Sequence, residues 1–267
     1  MDLFNKLKNI PHIYYLNLDN RLDRREYMEK QFLHWGITNY TRVSTSKYLA
    51  SKSNEWGNLI HGKVKNIPAY VVGTAISHFE TLKSWLNTTN DPYVILMEDD
   101  YDLNLIRYWH FDWDYLMSRL PYDWDCIQLG FETKEYIPFF LHPKTRGSFF
   151  GPILITREYA EKILRLHTVG DKYCLDRLVG DVTFRDCSIT VDYFIGHTGR
   201  TYCIPLITTN TELGSTEYDV KIDRKHHDLC KKYYYYWWIN KRNDFTLDEF
   251  FTYGKLNDEK MTIRVDC

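Results

Sequence analysis

Four carboxylates crowd into five residues at Glu98-Asp99-Asp100-Tyr101-Asp102, directly after the apolar stretch Val94-Ile95-Leu96-Met97. Like charges so close repel one another, so the cluster calls for full solvation or a compensating cation. If the segment stays extended, positions 98, 100 and 102 share one face. Hard oxygens gathered in that way suit Mg²⁺ or Mn²⁺ held jointly with the phosphates of a substrate. The bland alternative is an acidic surface loop at the end of a strand.

The elements that must position this cluster are legible as alternating strand and helix signals. His12–Leu18 is a short apolar run, and 22–35 carries Met28, Phe32 and Trp35 at helical spacing. Val72, Ile76, Phe79, Leu82 and Leu86 repeat that spacing over 69–86. Tyr93–Met97 follows the turn signal Asn90-Asp91-Pro92 as an apolar strand. Asp125–Leu129 and Gly151–Ile155 are expected strands, and Thr156 is an expected N-cap for a helix over 157–167. Ile189, Val191, Tyr193 and Ile195 alternate as a half-buried strand, and 201–208 is expected to hold another. Such alternation predicts an α/β fold with a mostly parallel central sheet flanked by helices. Residues 1–220 form the expected main domain, and 221–267 a helical appendage packed on it. In open α/β sheets ligands bind beyond the carboxyl ends of the strands, which is where the acidic cluster falls.

Composition narrows the function classes. A formal charge of −2 argues against a general nucleic-acid binder. The six cysteines form no C-x-x-C, which excludes a zinc site on closely spaced thiols and favours reduced, buried sulfurs. There is no G-x-G-x-x-G, no G-x-x-x-x-G-K-[ST] and no H-E-x-x-H, so phosphate binding on a glycine-rich loop loses support. No apolar run approaches the roughly 20 residues of a membrane span, and the expectation is a cytoplasmic enzyme.

Several segments together resemble glycosyltransferase family twenty-five, which includes lipooligosaccharide and collagen galactosyltransferases. Ile13-Tyr14-Tyr15-Leu16-Asn17-Leu18-Asp19 with Arg21, Asp23, Arg24 and Arg25 is similar to its opening. Gly73-Thr74-Ala75-Ile76-Ser77-His78 resembles its G-x-x-x-S-H helix, and Ile95-Leu96-Met97-Glu98-Asp99-Asp100 its I-L-x-E-D-D strand. Asp125 to Gly130 is similar to its D-x-x-x-L-G strand; Val191-Asp192, Tyr202, Pro205 and Ser215 resemble its ending. The chain departs from the pattern at Phe79-Glu80 after His78, and at Asp192-Tyr193, where Asp-His is commoner.

The resemblance implies a GT-A-like fold, a UDP-sugar donor, Mn²⁺ (or Mg²⁺) and inversion at the anomeric carbon. It places Asp100 on the metal, with Asp102 as a competing ligand, and gives Glu98 a ribose or metal-bound water, supported by Asp99. Asn17, Asp19 and Arg24 would contact the nucleotide, Arg24 or Arg25 reaching a phosphate, as would Ser77 and His78. For the general base Asp192 is the leading candidate, equally readable as a salt-bridged carboxylate; Asp176 and Asp181 rank below it, and His197 as a third ligand ranks low. The product would be a hexosylated glycan, lipid-linked or protein acceptor. A nucleotidyltransferase and a non-catalytic sugar- or partner-binding domain are the competing classes. The aromatic block Tyr233-Tyr234-Tyr235-Tyr236-Trp237-Trp238 between basic residues reads as a buried helix, against the main domain or in a homodimer, or else as a peripheral membrane patch.

Overall fold

The computed structural model describes residues 6–49, 58–62, 69–145, 148–149, 151–175, 190–214, 221–252 and 260–265. Its centre is a seven-stranded sheet: β1 (Ile13–Asn17), β2 (Tyr40–Ser44), β3 (Tyr93–Glu98), β4 (Cys126–Gln128), β5 (His142–Pro143), β6 (Ile153–Thr156) and β7 (Thr201–Cys203). The spatial order is β2-β1-β3-β6-β4-β7-β5. β1 pairs in parallel with β2 and β3, and β7 in parallel with β4. β6 runs antiparallel between β3 and β4, and β5 antiparallel beside β7. The sheet is therefore mixed, with five strands running one way as expected and β6 and β5 the other. Ile153, Leu154 and Ile155 of β6 are apolar and buried, and a strand buried on both faces carries no mark of its direction.

Each strand feeds two cores, because successive side chains point to opposite faces. Tyr14, Val94, Leu96, Cys126, Ile153 and Ile155 face one side, packed with α2 (Ala69–Thr88), α3 (Arg157–Leu166) and α4 (Val191–Gly196). Ile13, Tyr15, Ile95, Met97, Ile127 and Leu154 face the other, with α1 (Leu22–His34) and α5 (Lys221–Asn240). In α1 the buried residues Arg24, Met28, Gln31 and Phe32 form one stripe, and Gly36 ends the segment at φ 65°, a conformation that suits glycine. Thr156 caps α3 as expected, its hydroxyl accepting from the Tyr159 amide at 3.2 Å.

The expected strand over 189–195 is a helix instead. Residue 189 lies outside the described residues, and Val191–Gly196 turns as α4. Val191, Phe194 and Ile195 fit helical spacing as Val191, Tyr193 and Ile195 fit alternation, and a run this short cannot separate the two by period. Packing decides: the Phe194 ring lies 5.6 Å from Phe79 and 4.6 Å from His167. The Tyr159 hydroxyl also donates to Ile195 O at 2.7 Å. Segment 201–208 divides as well, into β7 and a short strand Thr208–Thr209 that pairs with Tyr101–Asp102 above the sheet edge. Asp176 and Asp181 lie outside the described residues.

Gly130 explains its own identity. A Cβ there would meet the Ile207 carbonyl oxygen at 2.0 Å, and one at Gly151 would meet the Gly130 oxygen at 1.8 Å. Three backbone segments pass in contact at that point, so only glycine fits without a shift.

The aromatic tail buries one face, while Tyr236 on another is 48 % exposed. Tyr234, Trp237 and Trp238 are at most 1 % exposed and share one core with Tyr15 and Ile95. Trp237 stacks on Phe139 at 4.6 Å and on Phe245 at 4.6 Å, and Trp238 Nε1 donates to Pro205 O at 2.7 Å. Cys126, Cys174, Cys203 and Cys230 are buried, as expected, and none of the four is in a disulfide among the described residues. No helix among the described residues is long and apolar enough to cross a membrane. Truncating Trp238 to Ala should cost about 3–5 kcal/mol, read as a lowered urea midpoint; a change below about 1 kcal/mol would mean that α5 is not part of the cooperative core.

Candidate functional site

β1, β3, β4 and β7 all run in one direction, so their carboxyl ends lie along one edge of the sheet. In the β1–β3 register Leu16 stands beside Glu98, which sets Asn17 next to Asp99. Asn17 Nδ2 donates to Asp99 Oδ2 at 2.7 Å, and its Oδ1 accepts from Arg42 Nε at 2.7 Å. Arg42 also pairs with Asp19, whose second oxygen accepts from the Ser44 hydroxyl at 2.8 Å. Those bonds, the one from Arg42 first, hold the Asp19 carboxyl below its ordinary range.

Arg24 is the hub. From the first turn of α1 its Nη1 lies 2.6 Å from Asp99 Oδ1 and 3.2 Å from Asp100 Oδ2. Nη2 donates to Gly214 O, while Arg21 Nη2 donates to Leu213 O at 2.6 Å. The compensating cation that the acidic cluster requires is thus, in part, a guanidinium of the chain itself, whose Nη1 faces two carboxylates at once. Arg24 was expected at a phosphate; its described bonds are to carboxylates and a carbonyl. Arg25 instead forms an exposed i,i+4 pair with Glu29 at 2.9 Å.

The four carboxylates divide by partner. Asp99 is 5 % exposed and bonded through both oxygens, to Arg24 and Asn17. Asp102 is 4 % exposed and turned away from the others. Its Oδ1 accepts from the Asn104 amide and side chain at 2.9 and 2.7 Å, and its Oδ2 from the Tyr235 hydroxyl at 2.8 Å. Those three bonds engage both oxygens, and Lys231 Nζ lies 3.8 Å from Oδ2. Asp100 keeps 21 % of its side chain exposed. Desolvation raises its carboxyl to about 6, opposed by Arg24 and reinforced by Asp99 and Glu132. A partly accessible carboxylate that resists ionisation is one that an incoming cation would stabilise.

Among the described residues no three His, Cys, Asp or Glu side chains gather as a ligand set for a metal ion. One accessible carboxylate, Asp100, with Glu98 beside it, does not make a cage. It does fit a divalent cation that takes most of its oxygens from a substrate's phosphates and from water.

Ser77 and His78 are each 1 % exposed within α2. The Ser77 hydroxyl donates to Gly73 O at 2.7 Å, and His78 Nδ1 lies 2.9 Å from Thr74 O. Burial lowers the His78 imidazole to about 4. The backbone of Asp192 falls in the first turn of α4, and its side chain lies outside the described residues. His197, ranked low as a ligand, follows α4 at its C-cap.

Sequence reading missed the far wall of the site. Asn210 N donates to Asp100 O at 2.5 Å, and Lys231 Nζ reaches Asn210 Oδ1 at 3.2 Å. Thr209 Oγ1 donates to Glu132 Oε1 at 2.7 Å, and His227 Nδ1 lies 2.9 Å from Glu132 Oε2. A spacing signal was present in the helix: His227, Lys231 and Tyr235 recur every four residues and so share a face.

No family model matches the chain, and no curated protein matches it. Among solved structures, the crystal structure of A197 from STIV aligns at 14 % identity over 74 % of this chain and 84 % of that chain, with a TM-score of 0.40. A likeness of that size carries no argument about function.

Two outcomes follow from the electrostatics. Replacing Arg24 by Met leaves buried carboxylates uncompensated and should cost about 3–5 kcal/mol. Adding Asp99→Asn should recover part of that loss in a urea-melt cycle, and strict additivity would show that the two do not interact. The second concerns acid. His78 and His142 are both lowered by burial to about 4 from 6.5, so between those values the unfolded chain binds protons that the folded chain does not. Their effect is fully present above pH 6.5 and stability is lost as pH falls toward 4; Asp100, raised from 3.8 to about 6, works in the opposite direction over much of that window. Two imidazoles outweigh one carboxyl, so melting temperature should drop between pH 7 and 5, and a constant or rising value would contradict this balance.

Proposed function

We propose that the chain is a glycosyltransferase that moves a hexose, galactose or glucose, from a UDP-sugar to a hydroxyl of a glycan, lipid-linked or protein acceptor, with inversion at the anomeric carbon. The observation that carries the reading is Asp100. It is a part-exposed carboxylate at the carboxyl edge of the sheet, raised toward neutrality and bracketed by Arg24. What supports it further is where the family-like segments lie. Those around residues 13–19 and 95–100 fall on the paired strands β1 and β3, and Asn17 bonds Asp99 directly. Those around 125–130 and 202–205 fall on and beside the paired strands β4 and β7. On this reading the mixed sheet is a GT-A-like variant, and membership of glycosyltransferase family twenty-five is part of the proposal.

The residues divide the work. Asp100 and Glu98 face the diphosphate side, where Mn²⁺ or Mg²⁺ would offset the charge that the leaving group acquires. Arg24 and Asn17 hold Asp99 and keep the strand end rigid, so the accessible carboxylate is presented in one position. Asp19 and Arg42, at the end of β1 and on β2, lie at the same edge for the ribose or base.

A donor screen tests the reading. UDP release from UDP-galactose or UDP-glucose should be stimulated by Mn²⁺ and should exceed release from GDP- or CMP-sugars. Asp100→Asn should lower turnover by about 100-fold while the melting temperature holds or rises, because the ionised carboxyl is disfavoured in the fold. If no donor gives metal-stimulated release, the non-catalytic binding domain becomes the better description.

A further inference from the structure

The wall opposite Arg24 is built by the C-terminal helix. His227, Lys231 and Tyr235 project from one face of α5, and each bonds the 100–102 or 209–210 segments directly or through one residue. Tyr235 reaches Asp102 at 2.8 Å, Lys231 reaches Asn210 at 3.2 Å, and His227 reaches Glu132, which Thr209 holds from its other oxygen. Thr209 stands beside Tyr101 in the short ladder, and the Asn210 amide bonds Asp100 O. Both Glu132 and His227 lie near enough to act on the charge of Asp100.

With a glycosyl donor seated over Asp100 as proposed above, we infer that His227, oriented by Glu132, is the base that takes the proton from the acceptor hydroxyl. The geometry is that of an oriented imidazole. Glu132 is buried, with 10 % of its side chain exposed, and both of its oxygens are engaged; His227 keeps 38 % of its side chain exposed. A carboxylate accepting from Nδ1–H sets the tautomer in which Nε2 carries the lone pair. In the step, the hydroxyl proton passes to Nε2 as the hydroxyl oxygen bonds to C1. The C1–O bond to the diphosphate breaks, and its electron pair leaves with UDP. Glu132 is a positioning residue that stabilises the imidazolium formed. The role considered for Asp192 then passes to a pair contributed by the loop after β4 and by α5.

The experiment compares the 267-residue chain with H227Q, H227A, E132Q and D192N, measuring UDP and Mn²⁺ binding by calorimetry, melting temperature, and transfer to a hydroxyl acceptor. H227Q should bind UDP within about threefold of wild type and lose about 10²–10³ in kcat. Added imidazole should restore part of the activity of H227A. E132Q should lose about tenfold in kcat, and D192N should stay close to wild type. If D192N carries the loss while H227Q turns over within about threefold, His227 is not the base and the donor reading survives. If H227Q loses UDP affinity in proportion to rate, or imidazole rescues nothing, His227 serves structure rather than proton transfer. If the wild-type chain neither binds UDP nor releases it from a UDP-sugar, the donor reading fails and this role fails with it.

Discussion

The structure at the carboxyl edge of the sheet depends on one guanidinium. Three strands and two loops bring acidic groups to the same place, and without a buried cation those charges would force the edge open. Arg24 answers Asp99 and Asp100 together and ties the 213–214 turn over them. A buried ion pair of this kind adds little net stability, since desolvation offsets most of the attraction. What it supplies is position. It leaves Asp99 with both oxygens engaged and Asp100 with part of its surface open, which divides two adjacent carboxylates into a structural one and an accessible one.

The C-terminal helix makes the same division from the other side. Its inner face, Tyr234, Trp237 and Trp238, is held by the core under the sheet. Its next face carries polar groups to the edge, where the Tyr235 hydroxyl donates to Asp102. The helix can hold His227 and Lys231 steadily only because the aromatic face beside them is anchored in that core. Packing and chemistry are thus coupled through a single rigid element, with no loop between the anchor and the groups it presents.

Parts of this were legible in the residues. The strand over 93–97, the apolar run over 12–18 that bears Asn17, and the helix over 69–86 are all carried by local periodicity. Other parts were not. The apolar residues of 191–195 fit two periods, Val191, Tyr193 and Ile195 the strand and Val191, Phe194 and Ile195 the helix, and contact of Phe194 with Phe79 and His167 selected the helix. The Asp100-Tyr101-Asp102 spacing marks Asp102 as a ligand, but its partner Tyr235 lies 133 residues away and no local rule links them. Glu132 and His227 belong to no motif and meet only because α5 crosses the end of β4.

The sequence by itself determined most of the strands and helices and the acidic strand end at the edge where ligands bind. Those depend on the alternation of apolar side chains and on short-range backbone preferences, which are written along the chain. Tertiary structure alone decided the antiparallel course of β6, the separation of the four carboxylates into bonded and accessible groups, and the polar wall on α5. Each depends on which distant group fills the space beside a given side chain, and that is settled when the two cores close on the sheet.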